Sequence, residues 1–261
     1  SVFPSETRVA TPSLITGCRP GGHGLVANTL FDASVAPDRL IRTKLVEDVL
    51  TLAAGAESPL QRASLAERLA PHGMSFALVS AGTAGAARLL HPAAERLGAF
   101  RWNVEDTEGE TPQRVVVALG KTPPAAVPNI ARVEFAGRVL LEHVLPQIKP
   151  DVALLWLSEP DVSFHWGGLR AEHTQRALKS ADAVLGQIMT WRDAQPDAQE
   201  IAIIVLSDHG HVTGRGKKCL RSELQRVGFR AGTGMAPDVD IVVAPAAAPG
   251  LWLRDPALAS Q

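Results

Sequence analysis

The stretch LLWLSEPDVSFHWGG, Leu154 to Gly168, is an apolar run that closes on an acid, Asp161, and four residues later on a histidine, His165. A second stretch is built alike. IAIIVLSDHGH, Ile201 to His211, runs apolar and then meets Asp208 and His209. Apolar runs without alternation suit strands buried on both faces. Further runs are FALVSAG (Phe76–Gly82), RVVVALG (Arg114–Gly120) and DIVVAP (Asp240–Pro245), and the first stretch extends back to Asp151. Between them lie Ala131–Ile148 and Leu169–Trp191, whose apolar residues recur at helical spacing. This alternation predicts an α/β fold, a three-layer sandwich with a mostly parallel central sheet flanked by helices. Ligands of such sheets bind beyond the carboxyl ends of the strands. Both Asp–His pairs fall there.

The 261 residues have room for a single domain, 1–261, with a small insertion around 100–130, where Pro, Gly and Thr collect. A formal net charge of −1 leaves no global basic field, so specific nucleic-acid binding is not expected. No apolar run reaches the ~18 residues of a membrane span. Cys18 and Cys219 form neither a disulfide framework nor a CxxC pair. That fits a reducing compartment, and a cytoplasmic location is the expectation. The segment Gly214, Gly216, Lys217, Lys218 reads as an exposed loop leading into a short helix. The opening SVFPSETRVA reads as a chain entered in mid-fold, so a targeting segment is not assessable from it.

Asp and His together are good ligands for a divalent metal such as zinc, the carboxylate neutralising charge and the neutral imidazole supplying a lone pair. On one helical turn, residues 161 and 165 face the same way. Residues 208 and 209 converge only in an irregular strand-end loop, which Gly210 permits. A plainer reading stands beside this one: Asp161 caps a helix and His165 donates to a carbonyl. His211 reads as a neighbour rather than a ligand, and His23, His72, His91, His143 and His173 as structural or exposed. Trp166, beside His165, reads as core packing before pocket wall.

The chain's beginning, FPSETRVATPSLITGCRPGGHGLVAN (Phe3–Asn28), adds Thr7 ahead of a helix running through Leu14–Thr16. A helix N-terminus offers free N–H groups and positive potential to an anion. A metal-bound threonine alkoxide there is a credible nucleophile towards phosphorus. Alternatively, Thr7 merely caps the helix.

Taken in order, FPSxT, TGxxPxxHG (Thr16–Gly24), EPDxxxH (Glu159–His165) and SDHG (Ser207–Gly210) resemble the type I phosphodiesterase/nucleotide pyrophosphatase family of the alkaline phosphatase superfamily. The resemblance implies two divalent metal ions, zinc by preference. Thr7 would be both nucleophile and ligand, with Asp208 and His209 on the same ion. Asp161 and His165 would hold the second ion. Gly17, Pro20, His23 and Gly24 would form the scaffold behind the nucleophile helix. The family's pattern also implies an upstream Asp ligand, a later His ligand, and an Asn three residues after the nucleophile. This chain has Ala10 at that last position, with Arg8 as a substitute contact for a phosphoryl oxygen. The other two suggest truncation at both ends, one ligand lying before Ser1 and one after Gln261.

The implied function is hydrolysis of a phosphodiester, a nucleotide pyrophosphate or a phosphonate, the substrate being a small phosphate ester or phosphonate. Two alternatives remain. One is a phosphomonoesterase, phosphomutase or sulfatase of the same superfamily, though a sulfatase wants Cys or Ser at position 7. The other is a catalytically impaired relative that serves as a binding or scaffold protein.

Overall fold

The structure is a computed structural model that describes residues 2–216, 218–246 and 248–260; Lys217 of the predicted loop, and both terminal residues Ser1 and Gln261, lie outside them. The chain opens with helices α1 (Thr7–Thr16) and α2 (Pro20–His23), then a two-residue antiparallel pair, β1 (Thr29–Leu30) and β2 (Ile41–Arg42). Helices α3 (Val46–Leu52) and α4 (Leu65–Leu69) lead to β3 (Phe76–Ser80), α5 (Ala84–Leu90), α6 (Ala94–Leu97) and β4 (Arg101–Asn103). Next come α7 (Glu110–Leu119) and α8 (Ile130–Arg138), which continues as a π-helix over Val139–Ile148. Strand β5 (Val152–Trp156) delivers the chain to α9 (Asp161–Gly167) and the long α10 (Glu172–Asp193). Helix α11 (Leu220–Arg226) and strands β6 (Ala231–Gly232), β7 (Ile241–Ala244) and β8 (Gly250–Leu253) follow.

Strands β4, β3 and β5 form a parallel sheet in that order, with Phe76 opposite Val152 and Ser80 opposite Trp156. All five residues of the central strand β3 are buried. Successive side chains of a strand point to opposite faces, and the core divides accordingly. Phe76 and Leu78 pack with Leu154, Trp156, Ile15 of α1 and Leu89 and Leu90 of α5. Ala77 and Val79 pack with Trp102, Val115, Phe135, Leu140 and Val144. At the carboxyl edge, the buried Asn103 amide donates to the Ser80 hydroxyl and the Gly82 carbonyl, fixing the end of β4 to the end of β3. The β6–β8 sheet closes a smaller cluster of its own with Leu220 and Leu224 of α11. The segment 100–130 holds β4 and α7, whose Trp102 and Val115 both lie in the core.

Two expected strands are absent. The run Arg114–Gly120 is the second half of helix α7 and its C-cap, Gly120. Its valines follow helical burial: Val115 is fully buried, whereas Val117 is 88% exposed. Pro112 and Val115 face inward, and Arg114 pairs with Glu110 one turn back. Packing on one side overrides the β preference of a Val-Val-Val run. The run Ile201–Asp208 forms neither strand nor helix. A strand is stabilised by a neighbour's hydrogen bonds, and no strand of the described residues pairs with this one. Ile204 and Val205 are consequently exposed.

Candidate active site

Helix α1 begins at Thr7, with Glu6 as its extended N-cap residue. Thr7 is therefore the first helical residue and not the cap. Its hydroxyl meets His209 Nε2 at 3.0 Å, across 202 residues of chain. Behind it, the helix ends on Gly17 in the left-handed region (φ 69°), which a side chain would disfavour. His23, fully buried in α2, ties α2 back to α1 through a 2.9 Å bond between its Nε2 and the Ser13 hydroxyl. Burial holds the His23 pKa below the ordinary histidine value, so the ring stays neutral and structural. Gly17, Pro20, His23 and Gly24 thus form the turn that fixes the helix presenting Thr7.

Asp161 opens α9 directly after β5, with Pro160 at the cap position. The preceding Glu159 does the anchoring. It is 4% exposed, and its two carboxylate oxygens accept the N–H groups of Asn129 (2.7 Å) and Ser163 (3.0 Å). One buried side chain thereby fixes the start of α9 relative to the start of α8. Asp161 and His165 sit one turn apart, their Oδ1 and Nε2 atoms 3.6 Å apart.

The four expected ligands come together. His209 Nε2 lies 3.3 Å from Asp208 Oδ2 and 3.8 Å from Asp161 Oδ1. His209 Nδ1 is 3.1 Å from the Gly210 carbonyl, which can only accept; in the neutral ring with its proton on Nδ1, Nε2 offers its lone pair towards Thr7. The Thr7 hydroxyl is then the donor in their hydrogen bond. The Ser207 hydroxyl donates to the His209 carbonyl and braces this loop.

The structure bears on three further sequence readings. His211 is inside the cluster, its Nε2 2.6 Å from Asp161 Oδ1. Ligand atoms of Asp161, His209 and His211 lie within 4.8 Å of one another. The available signal was the H-x-H spacing, which puts both imidazoles on one side of an extended chain. Ala10, one turn along α1 from Thr7, is 3% exposed and carries no polar group. Asn28 stands beside the helix start instead, accepting the Arg8 N–H at 2.8 Å through Oδ1, while its own N–H bonds Glu6. With Oδ1 engaged, its amide NH₂ is the group left to offer a ligand. No short motif marks Asn28, because the β1 turn that brings it back is 21 residues beyond Thr7. Trp166 does not pack in the core; it is 78% exposed beside His165.

Arg8 is half-buried and faces the cluster. Burial lowers its pKa, and the carboxylates of Glu6, Asp161 and Asp208 oppose that shift. A guanidinium remains charged in any case. Next to Asp161, a cavity of about 350 Å³ opens at the carboxyl ends of the parallel strands, with Gly82, Glu105, Asn129, Arg132, Ser158 and Val162 in its wall.

Two carboxylates, three imidazoles and a threonine hydroxyl at these spacings have the mixed O and N donor chemistry of a zinc-type site. No helix of the described residues is long and apolar enough to cross a membrane. Among curated proteins, none is similar enough to the chain to count as a match. The family model for type I phosphodiesterase / nucleotide pyrophosphatase matches residues 1–227. The order of motifs along the chain, their convergence beside Thr7 and this match over most of the sequence lead to one conclusion: the chain belongs to the type I phosphodiesterase/nucleotide pyrophosphatase family, of the alkaline phosphatase superfamily.

Proposed function

We propose that the protein is a metal-dependent hydrolase of phosphodiester, nucleotide pyrophosphate or phosphonate bonds, with Thr7 as its nucleophile. The observation that carries this is the Thr7 hydroxyl, 3.0 Å from His209 Nε2 at the head of α1, with Asp208 3.3 Å from the same nitrogen. Phosphoric ester hydrolysis is the chemistry of the family; the nucleophile, the ions and the substrate are this reading. The division of the core above and below β3 supports a three-layer arrangement, which would open the site at the sheet's carboxyl edge.

Thr7, Asp208 and His209 would hold one divalent ion and Asp161 and His165 the other, zinc by donor type. When bound, such ions supply charge neutralisation at the phosphoryl oxygens and lower the pKa of attacking hydroxyl and water. The chain's own contribution is positional. The Thr7 hydroxyl proton points at His209 Nε2 and must leave, to solvent, before Oγ1 can attack. Its loss turns Oγ1 and Nε2 into lone-pair donors facing one another, so metal binding and proton release are coupled. Thr7 Oγ1 then forms a bond to phosphorus as the ester oxygen leaves, taking a proton from water. Water next attacks the same phosphorus, and Oγ1 departs to restore the hydroxyl. The N-terminal N–H groups of α1 favour an anion at Thr7. On this reading Asn28 NH₂ and the Arg8 guanidinium would donate to the phosphoryl oxygens. The organic group would lie towards the cavity beyond Val162.

Thr7→Ala tests the assignment with an aryl phosphodiester as substrate. The variant should lose turnover by at least about a thousandfold, the scale of removing a nucleophile, with its fold intact by circular dichroism. Activity within a few-fold of the parent protein removes Thr7 from the mechanism.

A further inference from the structure

We infer that His211 is the third protein ligand of the second ion, completing an Asp161–His165–His211 set. The inference rests on the two-ion reading above and extends it to a residue outside the motifs that suggested it. The six donors divide into two groups, each around one hub atom. Thr7 Oγ1 and Asp208 Oδ2 lie 3.0 and 3.3 Å from His209 Nε2. His211 Nε2 and His165 Nε2 lie 2.6 and 3.6 Å from Asp161 Oδ1. The two hubs are 3.8 Å apart, the longest of these five separations. The His165 and His211 rings meet edge-on, 4.7 Å between centroids, so both imidazoles converge on one carboxylate oxygen.

Ligand number makes the residue matter. Catalytic zinc sites usually keep three protein ligands and one open position. Asp161 and His165 supply two donors, and His211 Nε2, 2.6 Å from Asp161 Oδ1, stands where a third would. Zinc bonds of about 2.0–2.1 Å in tetrahedral array put neighbouring donors about 3.3 Å apart. His165 is already near that spacing from Asp161. His211 has to retreat by well under an ångström, the ion taking the place of the hydrogen-bonded proton. Two imidazoles and one carboxylate select zinc or cobalt over magnesium, which prefers an all-oxygen shell.

The rival role for His211 is to orient Asp161 by hydrogen bonding without touching an ion. His211→Gln separates the two, since a Gln amide NH₂ can keep the bond to Asp161 but is a poor ligand. After dialysis against limiting zinc, elemental analysis should find two ions in the parent protein, two in His72→Ala (an exposed histidine) and one in His211→Gln. Two ions in His211→Gln would overturn the proposal and leave the two-ion reading standing. One ion or none in the parent would overturn the two-ion reading itself, and the proposal with it. His211→Cys, loaded with cobalt, gives a second readout that needs no turnover. A near-ultraviolet thiolate-to-cobalt band absent from the parent supports coordination at position 211, and no such band in folded protein refutes it.

Discussion

Replacing Glu159 with alanine should unfasten the site without touching a proposed ligand. The carboxylate is 4% exposed and accepts two backbone N–H groups, from Asn129 and Ser163, at 2.7 and 3.0 Å. Both of those residues are themselves buried. Hydrogen bonds to a charged group are worth about 1.5–3 kcal/mol each, and stranding buried donors forfeits that energy. Part is regained because the carboxylate no longer pays for its own burial. The expected net loss is about 3–4 kcal/mol. Urea unfolding followed by fluorescence of the Trp residues is the assay. With a slope near 3 kcal/mol/M, reasonable for a chain of this size, the midpoint should fall by about 1 M. Glu159→Gln keeps one acceptor and should lose roughly half as much. Zinc affinity should drop in parallel, because Asp161 is two residues on. An unchanged midpoint and slope for Glu159→Ala would refute the claim that this residue anchors α9.

Other outcomes follow from separate parts of the fold. A methyl group at Gly85 would overlap the Thr43 carbonyl oxygen, where α5 lies against the chain leading to Lys44. Gly85→Ala should therefore cost about 1–3 kcal/mol, the scale of overpacking, in thermal melts, and a neutral result would contradict that close approach. His91 is buried edge-on to Phe76, and burial pushes its pKa down to about 4 from the ordinary 6.5. The neutral ring is thus favoured in the folded state. Its contribution is complete above pH 6.5 and is lost as pH falls from 6.5 through 4, about 3 kcal/mol at most. His91→Phe should flatten the stability profile across that window; a profile identical to the parent's would dismiss His91 as the titrating group.

What the sequence reveals depends on how local the causes are. Phe76–Ser80 and Val152–Trp156 are legible as strands because both of their faces are apolar, and the structure pairs them in parallel. Ile241–Ala244 is legible for the same reason. The valines of Arg114–Gly120 mislead because composition alone does not distinguish a strand from a helix that buries only Pro112 and Val115. Ile201–Asp208 misleads differently: its residues prefer a strand, but pairing is a property of neighbours. Among site residues, Asp161, His165, Asp208 and His209 stand in short ordered motifs, and Thr7 stands at a helix start. His211 is marked only by its H-x-H spacing from His209, and Asn28 by no motif at all. One reaches the cluster by contact with Asp161, and the other through the return of the chain after α2.

The central claim is that Thr7 bonds to phosphorus during turnover. Its most direct test is rapid acid quenching of the zinc-loaded protein during turnover of an aryl phosphodiester, followed by peptide mass spectrometry. The account predicts an adduct on the peptide containing Thr7, retaining the phosphoryl group and its remaining ester, and no adduct in Thr7→Ala. Turnover with no adduct on Thr7 at any quench time, and the same rate in Thr7→Ala, would contradict it.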